Sequence, residues 1–410
     1  MKTAIVLGAG MVGVSTALAL ADRGWAVVLV DRKAPGLETS FGNAGIIQAE
    51  AVEPYAMPRS PVALFDIATG RSNDVVYSVR ELPHHLGALM RYWWHSESGR
   101  HRAASVSWGR LIGQATQAHE PLIRRAGADN LIRKAGFSML YRSGRALETD
   151  VRDAERKARD YGIHFRARSS TEMLQAEPAL RTGGAGGIHW QDSWTVSDPG
   201  GLVASYAELL RRTGGRIAVG DAASLAQKGA GWSVMTSDGP IEASDVVLAL
   251  GPWSPELLRR FGHDIPMVRK RGYHAHYRSP VALNAPVMDH ERGYLLLPMA
   301  AGTRITTGAH LARAEVAADY RQLARAEAAV VDLYDLGARI EDKPWQGTRP
   351  CMPDMLPVIG ASPRQRGFWL NFGHGHQGFT LGPASAAMLA AMMDGEAPGI
   401  DMAPFSATRF

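Results

Sequence analysis

Three glycines, Gly8, Gly10 and Gly13, stand at the junction of an apolar run, Thr3 to Leu7, and a small-residue run that continues to about Arg23. Glycine chemistry there is backbone chemistry. Gly8 permits a tight strand-to-helix turn, Gly10 lets the main chain approach a pyrophosphate, and Gly13 lets helix and strand pack closely. The free N–H groups of the following helix would face the phosphates. Asp31, roughly 20 residues further on at the end of a second apolar run, can accept hydrogen bonds from both ribose hydroxyls and would repel a 2′-phosphate. The pattern points to FAD or NAD and away from NADP; alone it does not separate the first two.

Arg349 is the second chemical candidate. A guanidinium fork matches a carboxylate in two hydrogen bonds and stays charged at any working pH, and Trp345, Pro350 and Pro353 around it suggest a rigid, partly buried loop. His374 and His376 form an i, i+2 pair that could ligate a metal, but Cys351 is the single cysteine and no H-E-x-x-H or C-x-x-C spacing supplies the rest of a set. No metal site is expected. Neither a G-x-S-x-G elbow nor a P-loop is present.

The elements that must position these groups follow from periodicity. Thr3 to Leu7 and Trp25 to Val30 read as strands around a small-residue helix, and a cleavable leader here would discard the glycine turn. Leu82 to Trp94 and Ala103 to Ala126 have helical apolar spacing, and Tyr92, Trp93, Trp94 and Trp108 read as helix-packing aromatics. Phe137 to Tyr141 and Gly187 to Gln191 read as strands, with a helix over Leu147 to Tyr161. After the helix Leu202 to Arg212, a β-meander turns at Asp238-Gly239 and feeds the buried strand Asp245 to Leu250, which stops at Gly251. Ile265 to Arg278 and Tyr294 to Thr307 supply strands and Ala314 to Ile340 a long helix. Arg366 to Phe372 is a last strand, running into a glycine-rich turn and a C-terminal helix that starts near Phe379 to Pro383.

The chain has 410 residues, of which 46% are hydrophobic and 21% charged, which excludes long disorder and a collagen-like or coiled-coil rod. The net charge of +5 comes without any long basic run, so nucleic acid is not a favoured partner. One cysteine allows no intramolecular disulfide, which fits a reducing compartment. The mild positive balance is compatible with peripheral docking at the inner face of a cell membrane, and the expected location is cytoplasmic.

Four separated segments resemble the FAD-dependent D-amino-acid oxidase superfamily, and within it the D-amino-acid dehydrogenases that include hydroxyproline-type enzymes. They are GAGMVGVSTALALADRGWAVVLVD near the N-terminus; SFGNAGI at Ser40 to Ile46; DVVLALGPWSP at Asp245 to Pro255; and, near the C-terminus, W-x-G-x-R-P from Trp345 to Pro350 with GHGHQG from Gly373 to Gly378. The fold class implied is α/β and α+β. A Rossmann-like FAD-binding domain from 1–50, 196–264 and 340–410 is interleaved with a mixed-sheet substrate domain from 51–195 and 265–339. The cofactor implied is FAD. It would be held by Gly8, Gly10, Met11, Val12 and Gly13 with Asp31 and Arg32, and by Ser40, Asn43, Ala44 and Gly45 of the second segment. Gly251 and Trp253 join from the third segment, and Gly373, His374, Gly375, His376, Gln377, Gly378 and Thr380 from the last.

The resemblance also implies an amino-acid substrate, with Arg349 taking its carboxylate and a hydride leaving Cα for flavin N5. Tyr273 and His274 lie where the chain returns to the substrate domain, a natural place for groups touching flavin or substrate. Tyr294 stands four positions before Pro298 where three is commoner, so strand alternation could turn its hydroxyl away. The electron acceptor stays open among a quinone, a carrier protein and O2. Two rivals remain: an oxidase of glycine, sarcosine or another secondary amine, and a non-catalytic flavin-binding subunit.

Overall fold

The computed structural model describes residues 2–70, 73, 75–313 and 315–410. Strand β1 (Thr3–Leu7) has Ala4 to Leu7 at most 1% exposed, so it must be covered on both faces. It feeds helix α1 (Met11–Ala21) and strand β2 (Ala26–Asp31), which pairs parallel with it. Helix α2 (Pro199–Arg212), capped by the Asp198 carboxylate accepting from the Gly201 N–H, leads into β3 (Arg216–Lys228). There follow β4 (Gly231–Thr236), β5 (Gly239–Ala243) and β6 (Asp245–Leu248). Five further strands are β7 (Val268–Arg278), β8 (Tyr294–Met299), β9 (Gly302–Thr307), β10 (Trp345–Cys351) and β11 (Val358–Ala361). Strand β12 (Phe368–Phe372) and helix α3 (Gly378–Met393) complete the chain's main elements.

Among the described residues the first sheet has eight strands in the order β5-β4-β3-β2-β1-β6-β12-β11, parallel from β3 through β12. Neighbouring strands thus come from opposite ends of the chain. The first helix is likewise covered by the last: Gly382 of α3 lies so close to α1 that an added Cβ would sit 2.7 Å from Met11 Cγ. Asn371 donates to the Thr16 hydroxyl at 3.0 Å, while Lys2 and the Trp25 indole both reach Asp394, at 2.7 and 3.0 Å.

The second sheet is larger and mostly antiparallel, with β7 at its heart beside β9, β10 and the short strand Ala309–Leu311. It continues through β8 to Val287–Asp289, Phe137–Tyr141 and Gly186–Trp190. This is the mixed α/β fold expected from the segments. Strand β10 lies within 340–410 yet pairs along β7, from Val268 opposite Cys351 to His274 opposite Trp345.

Two helical expectations are corrected. Of the helix expected over Ala314 to Ile340, the described residues hold Arg321–Val330 alone, Ala314 itself lying outside them. Gly337 then takes a left-handed backbone (φ +68°) pressed against the Arg278 carbonyl, and Ala338–Arg339 pairs with β7, so tertiary pairing overrides helix propensity. Ala103 to Ala126 is divided into Ser98–Ile112 and Ala115–Ala126, with Gly113 at the break. Trp93 and Trp94 are exposed, under the guanidinium groups of Arg59 and Arg100, whereas Trp108 is buried and donates to the Ala51 carbonyl at 2.7 Å. No helix among the described residues is long and apolar enough to cross a membrane.

Candidate active site

At the carboxyl end of β1 the chain turns under severe steric constraint. Gly8 is left-handed at φ +106°, and a Cβ there would lie 2.5 Å from the Ala249 carbonyl oxygen; one on Gly13 would lie 1.7 Å from the Gly8 oxygen. Only glycine fits either place. The turn is braced from outside. The Ala9 N–H donates to Asp31 Oδ2 at 2.6 Å, the Lys33 N–H to Asp31 Oδ1 at 3.0 Å, and the Met11 N–H to Ser40 Oγ at 3.0 Å. Gly10, the N-cap of α1, has no side chain to cap the helix, so that apart from Met11 the N–H groups of the first turn and the positive end of the dipole are left for an anion.

From this turn a single cavity of about 1360 Å³ runs along the Ser40–Ile46 loop and the carboxyl ends of the parallel strands to Arg349 and the Gly373–Gly378 turn. Ordinary ligand pockets hold roughly 300–1,000 Å³, so there is room for a dinucleotide and a small substrate together. Gly251 lines it with φ +55°, and a Cβ there would meet no protein atom within 4 Å, so the position is left-handed and open. Arg32 lies over the Trp253 ring at 4.5 Å and is tied to Glu38 at 2.9 Å. The glycine cradle, the uncapped helix and the acid at the strand end all fit FAD.

Most of the expected cofactor residues line this cavity: Gly8, Gly10, Met11, Val12, Asp31 and Arg32; Ser40, Asn43 and Ala44; Gly251 and Trp253; and Gly373, His374, Gly375, His376 and Gly378. Four stand one layer behind. Gly13 lies beneath the turn and left-handed Gly45 is pressed against the Val196 carbonyl. Gln377 donates to Gln48 Oε1 at 2.6 Å, and the Thr380 hydroxyl accepts from the Gln48 N–H at 3.3 Å. The loop carrying Asn43 is also held by Arg304, which donates to the Asn43 carbonyl at 2.6 Å and, through Nε, to His276 at 2.9 Å. Arg304 was not foreseen, because it lies far along the chain from the loop it holds.

Arg349 reaches the cavity from β10. Its guanidinium lies across Gly272 of β7, where an added Cβ would stand 2.7 Å from both Nη atoms. Nη1 donates to the Gly308 carbonyl at 2.8 Å and Nη2 to the Thr307 carbonyl at 3.3 Å. No ion pair among the described residues involves it, and burial pulls its pKa below the usual arginine range. Five N–H donors and two neutral acceptors leave unused capacity facing the cavity.

Beside it the Trp345 ring occupies room that exists only because residues 42 and 347 are glycines: a Cβ on either would fall 1.9 Å from ring carbons. His274 is stacked against the far side of Trp345 (4.8 Å, 15°), and burial drives its pKa down to about 2. Neither ring nitrogen has a well-formed hydrogen bond among the described residues, although the Gly42 backbone lies near. His274 does not line the cavity. Tyr273 points to the opposite face of β7, where its hydroxyl meets His310 Nδ1 at 2.6 Å and accepts from the Asp319 N–H. Tyr294 does line the cavity, with its hydroxyl donating away to the buried Asp289 at 3.1 Å.

The structure adds groups that spacing did not single out. Gln48, Glu50 and Tyr55 follow directly on the Ser40–Ile46 loop and line the same cavity, as do Tyr92 and Lys270. Lys270 shares the face of β7 with Gly272, and its ammonium sits 4.4 Å over the Tyr92 ring. Strand parity was the available signal: residues 270, 272 and 274 share a face that Tyr273 does not. Burial, reinforced by Glu50, pushes the Tyr55 phenol up to about 12, while burial lowers His376, packed edge-on against Tyr55 at 5.2 Å, well below the usual imidazole range. Both are neutral near pH 7.

Comparison with known proteins agrees with this geometry. The family described as FAD dependent oxidoreductase matches residues 3–392. A D-amino acid dehydrogenase of Cereibacter sphaeroides is 31% identical, over 99% of this chain and 95% of its own. A D-amino-acid oxidase of Bradyrhizobium diazoefficiens is 28% identical, over 99% of this chain and 98% of its own. The glycine oxidase of Geobacillus kaustophilus superposes with a TM-score of 0.74 over all of both chains at 22% identity, a likeness of fold.

Proposed function

The chain belongs to the family of FAD-dependent oxidoreductases, and from that premise we propose that it dehydrogenates a D-amino acid at Cα, with proline-like substrates included. The observation that carries the proposal is Arg349: a partly buried guanidinium without an acid partner among the described residues, lining the same cavity as the glycine turn. The names of the relatives support the D-configuration.

When bound, the flavin supplies a two-electron acceptor for the hydride that leaves Cα. The protein's own work is binding and orientation. Gly308 and Thr307 fix two η N–H groups of Arg349, so the remaining donors are pre-aimed at a carboxylate and little rotamer entropy is lost on binding. Trp345, Tyr55 and His376 supply neutral walls that exclude water from the anchored head group. Gly378 and Phe379 bring the start of α3 to the cavity, where its positive end would favour developing negative charge. The substrate gives up one ammonium proton to water and a hydride from Cα, leaving a protonated imine. Water hydrolyses it to a 2-oxo acid and ammonium, or it persists when cyclic.

The test is anaerobic bleaching of the yellow holoenzyme with D- and L-amino acids, the hydroxyprolines included. D-isomers should bleach it, and Arg349→Ala should keep the colour while losing at least about a hundredfold in kcat/KM, or about 2.7 kcal/mol of transition-state binding. Bleaching by L-isomers alone, or unchanged turnover of Arg349→Ala at low substrate, refutes the reading. The oxidase among the relatives favours a second acceptor, O2; peroxide formed in air would identify it, and reduction of a quinone analogue would favour the dehydrogenase.

A further inference from the structure

Five acids among the described residues are at most 9% exposed: Glu50, Glu81, Glu177, Asp289 and Asp354. Three hold arginines: Glu81 with Arg313, Asp289 with Arg142, and Asp354 with Arg409. Glu177 accepts two backbone N–H groups, from Asn284 and Ala285, at 2.8 and 2.7 Å. Glu50 differs. It lines the cavity, and its hydrogen-bond donors are all neutral: Gln48 Nε2 at 2.5 Å on Oε1, the Ser193 hydroxyl at 2.5 Å on Oε2, and its own backbone N–H.

This placement is built. Gln377 donates to the Gln48 carbonyl oxygen at 2.6 Å, so the Gln48 amide must turn its NH2 toward Glu50. Ser193 is fixed by the Ala49 N–H donating to its oxygen at 3.0 Å. The cation that acts on Glu50 is Lys157, itself paired with Asp153 at 2.8 Å, while Glu53 is taken up by Arg156. A carboxylate offers about four lone-pair positions, and three neutral donors with no cation in contact leave it under-compensated for a buried charge. Burial accordingly raises its pKa against the pull of Ser193 and Gln48. The missing positive charge belongs to whatever enters the cavity. Tyr55 lines the same cavity and feels the charges of both Glu50 and Arg349.

Resting on the amino-acid reading above, we propose that Glu50 is the second pole of the substrate site and holds the amine of a zwitterion whose carboxylate lies on Arg349. The site therefore selects amino acids over otherwise identical carboxylates.

The test uses holoenzyme and two ligand pairs, D-proline with tetrahydrofuran-2-carboxylate and D-alanine with propionate, each partner lacking only the amine. Glu50→Gln should lose at least tenfold in kcat/KM for the amino acids, with KM carrying most of it, and change inhibition by the amine-free carboxylates less than twofold. Glu50→Asp should recover part of the loss. Equal losses for both members of a pair, no loss for either, or a loss confined to amino acids with basic side chains overturns the proposal. Should neither variant retain flavin, the wild type decides: equal affinity for D-proline and its oxygen analogue overturns it, and at least tenfold preference for the amine supports it. Arg349→Ala separates the two readings, because it should weaken both members of each pair. If it weakens neither, the amino-acid reading itself fails; a failure confined to Glu50→Gln removes only the amine pole.

Discussion

Adding one methyl group at Gly272 should damage turnover without damaging the fold. Gly272 is not among the left-handed glycines, so alanine suits its backbone, and the entropy removed from the unfolded chain would stabilise the protein by about 0.4–1 kcal/mol. The new Cβ would stand 2.7 Å from both Nη atoms of Arg349 and 2.8 Å from Cζ. Ordinary contact begins at 3.4 Å, so the guanidinium must retreat by about 0.7 Å, weakening its bonds to Gly308 and Thr307 and moving the carboxylate anchor by a like amount. A misplacement of about 1 Å costs about a hundredfold; Gly272→Ala should therefore lose about 10- to 100-fold in kcat/KM, or about 1.4–2.7 kcal/mol. The assay is steady-state kinetics with a D-amino acid beside thermal melting and the flavin absorbance spectrum. A variant with full flavin and kcat/KM within twofold of wild type would refute the placement of Arg349 as anchor.

Gly251→Ala should cost only about 1–2 kcal/mol for a left-handed alanine, yet weaken flavin retention at least tenfold, read as colour remaining after gel filtration; undiminished colour would show that the space before Gly251 is not the cofactor's. Tyr294→Phe strips a donor from buried Asp289 and should lower stability by about 1–2 kcal/mol with KM within twofold, whereas a tenfold loss of turnover at unchanged melting temperature would return the hydroxyl to the chemistry. His274 has its pKa held down to about 2 by burial, and His374 down to about 3 for the same reason. Unfolding lets each bind a proton below about pH 6.5, so stability is full above that pH and falls as pH drops toward the folded values. His274→Phe, which keeps the stack on Trp345, should remove up to about 2 kcal/mol of the loss between pH 6.5 and 5; parallel wild-type and variant melting curves against pH would contradict this.

The nucleotide end was legible because its requirements are largely local: Gly13 and Asp31 answer to constraints within one strand-turn-helix-strand unit, and Gly8 to its own left-handed turn, although distant Ala249 crowds it as well. Arg349 was legible by type and motif, but the reason it can sit where it does, an absent side chain at Gly272 on another strand, was not. Tyr273 and His274 show the limit of proximity along the chain. Parity turns the first away from the cavity, and Trp345, arriving from β10, screens the second. Glu50 carried no signal at all, since an acid in a loop reads as solvated until Ser193 and Gln377 are seen to enclose it. The stretch after Ala314 failed for the complementary reason: composition favours helix, but pairing with β7 requires strand.

The interleaving of the first sheet has a consequence for biosynthesis. Strand β1 and helix α1, buried on every side in the fold, leave the ribosome well before β12 and α3, which must cover them. At about 5–20 residues per second the wait is roughly 20–70 seconds. During it the nascent strand-helix-strand unit is a sticky surface awaiting its cover, and a message cut short before α3 would yield a colourless, aggregation-prone fragment.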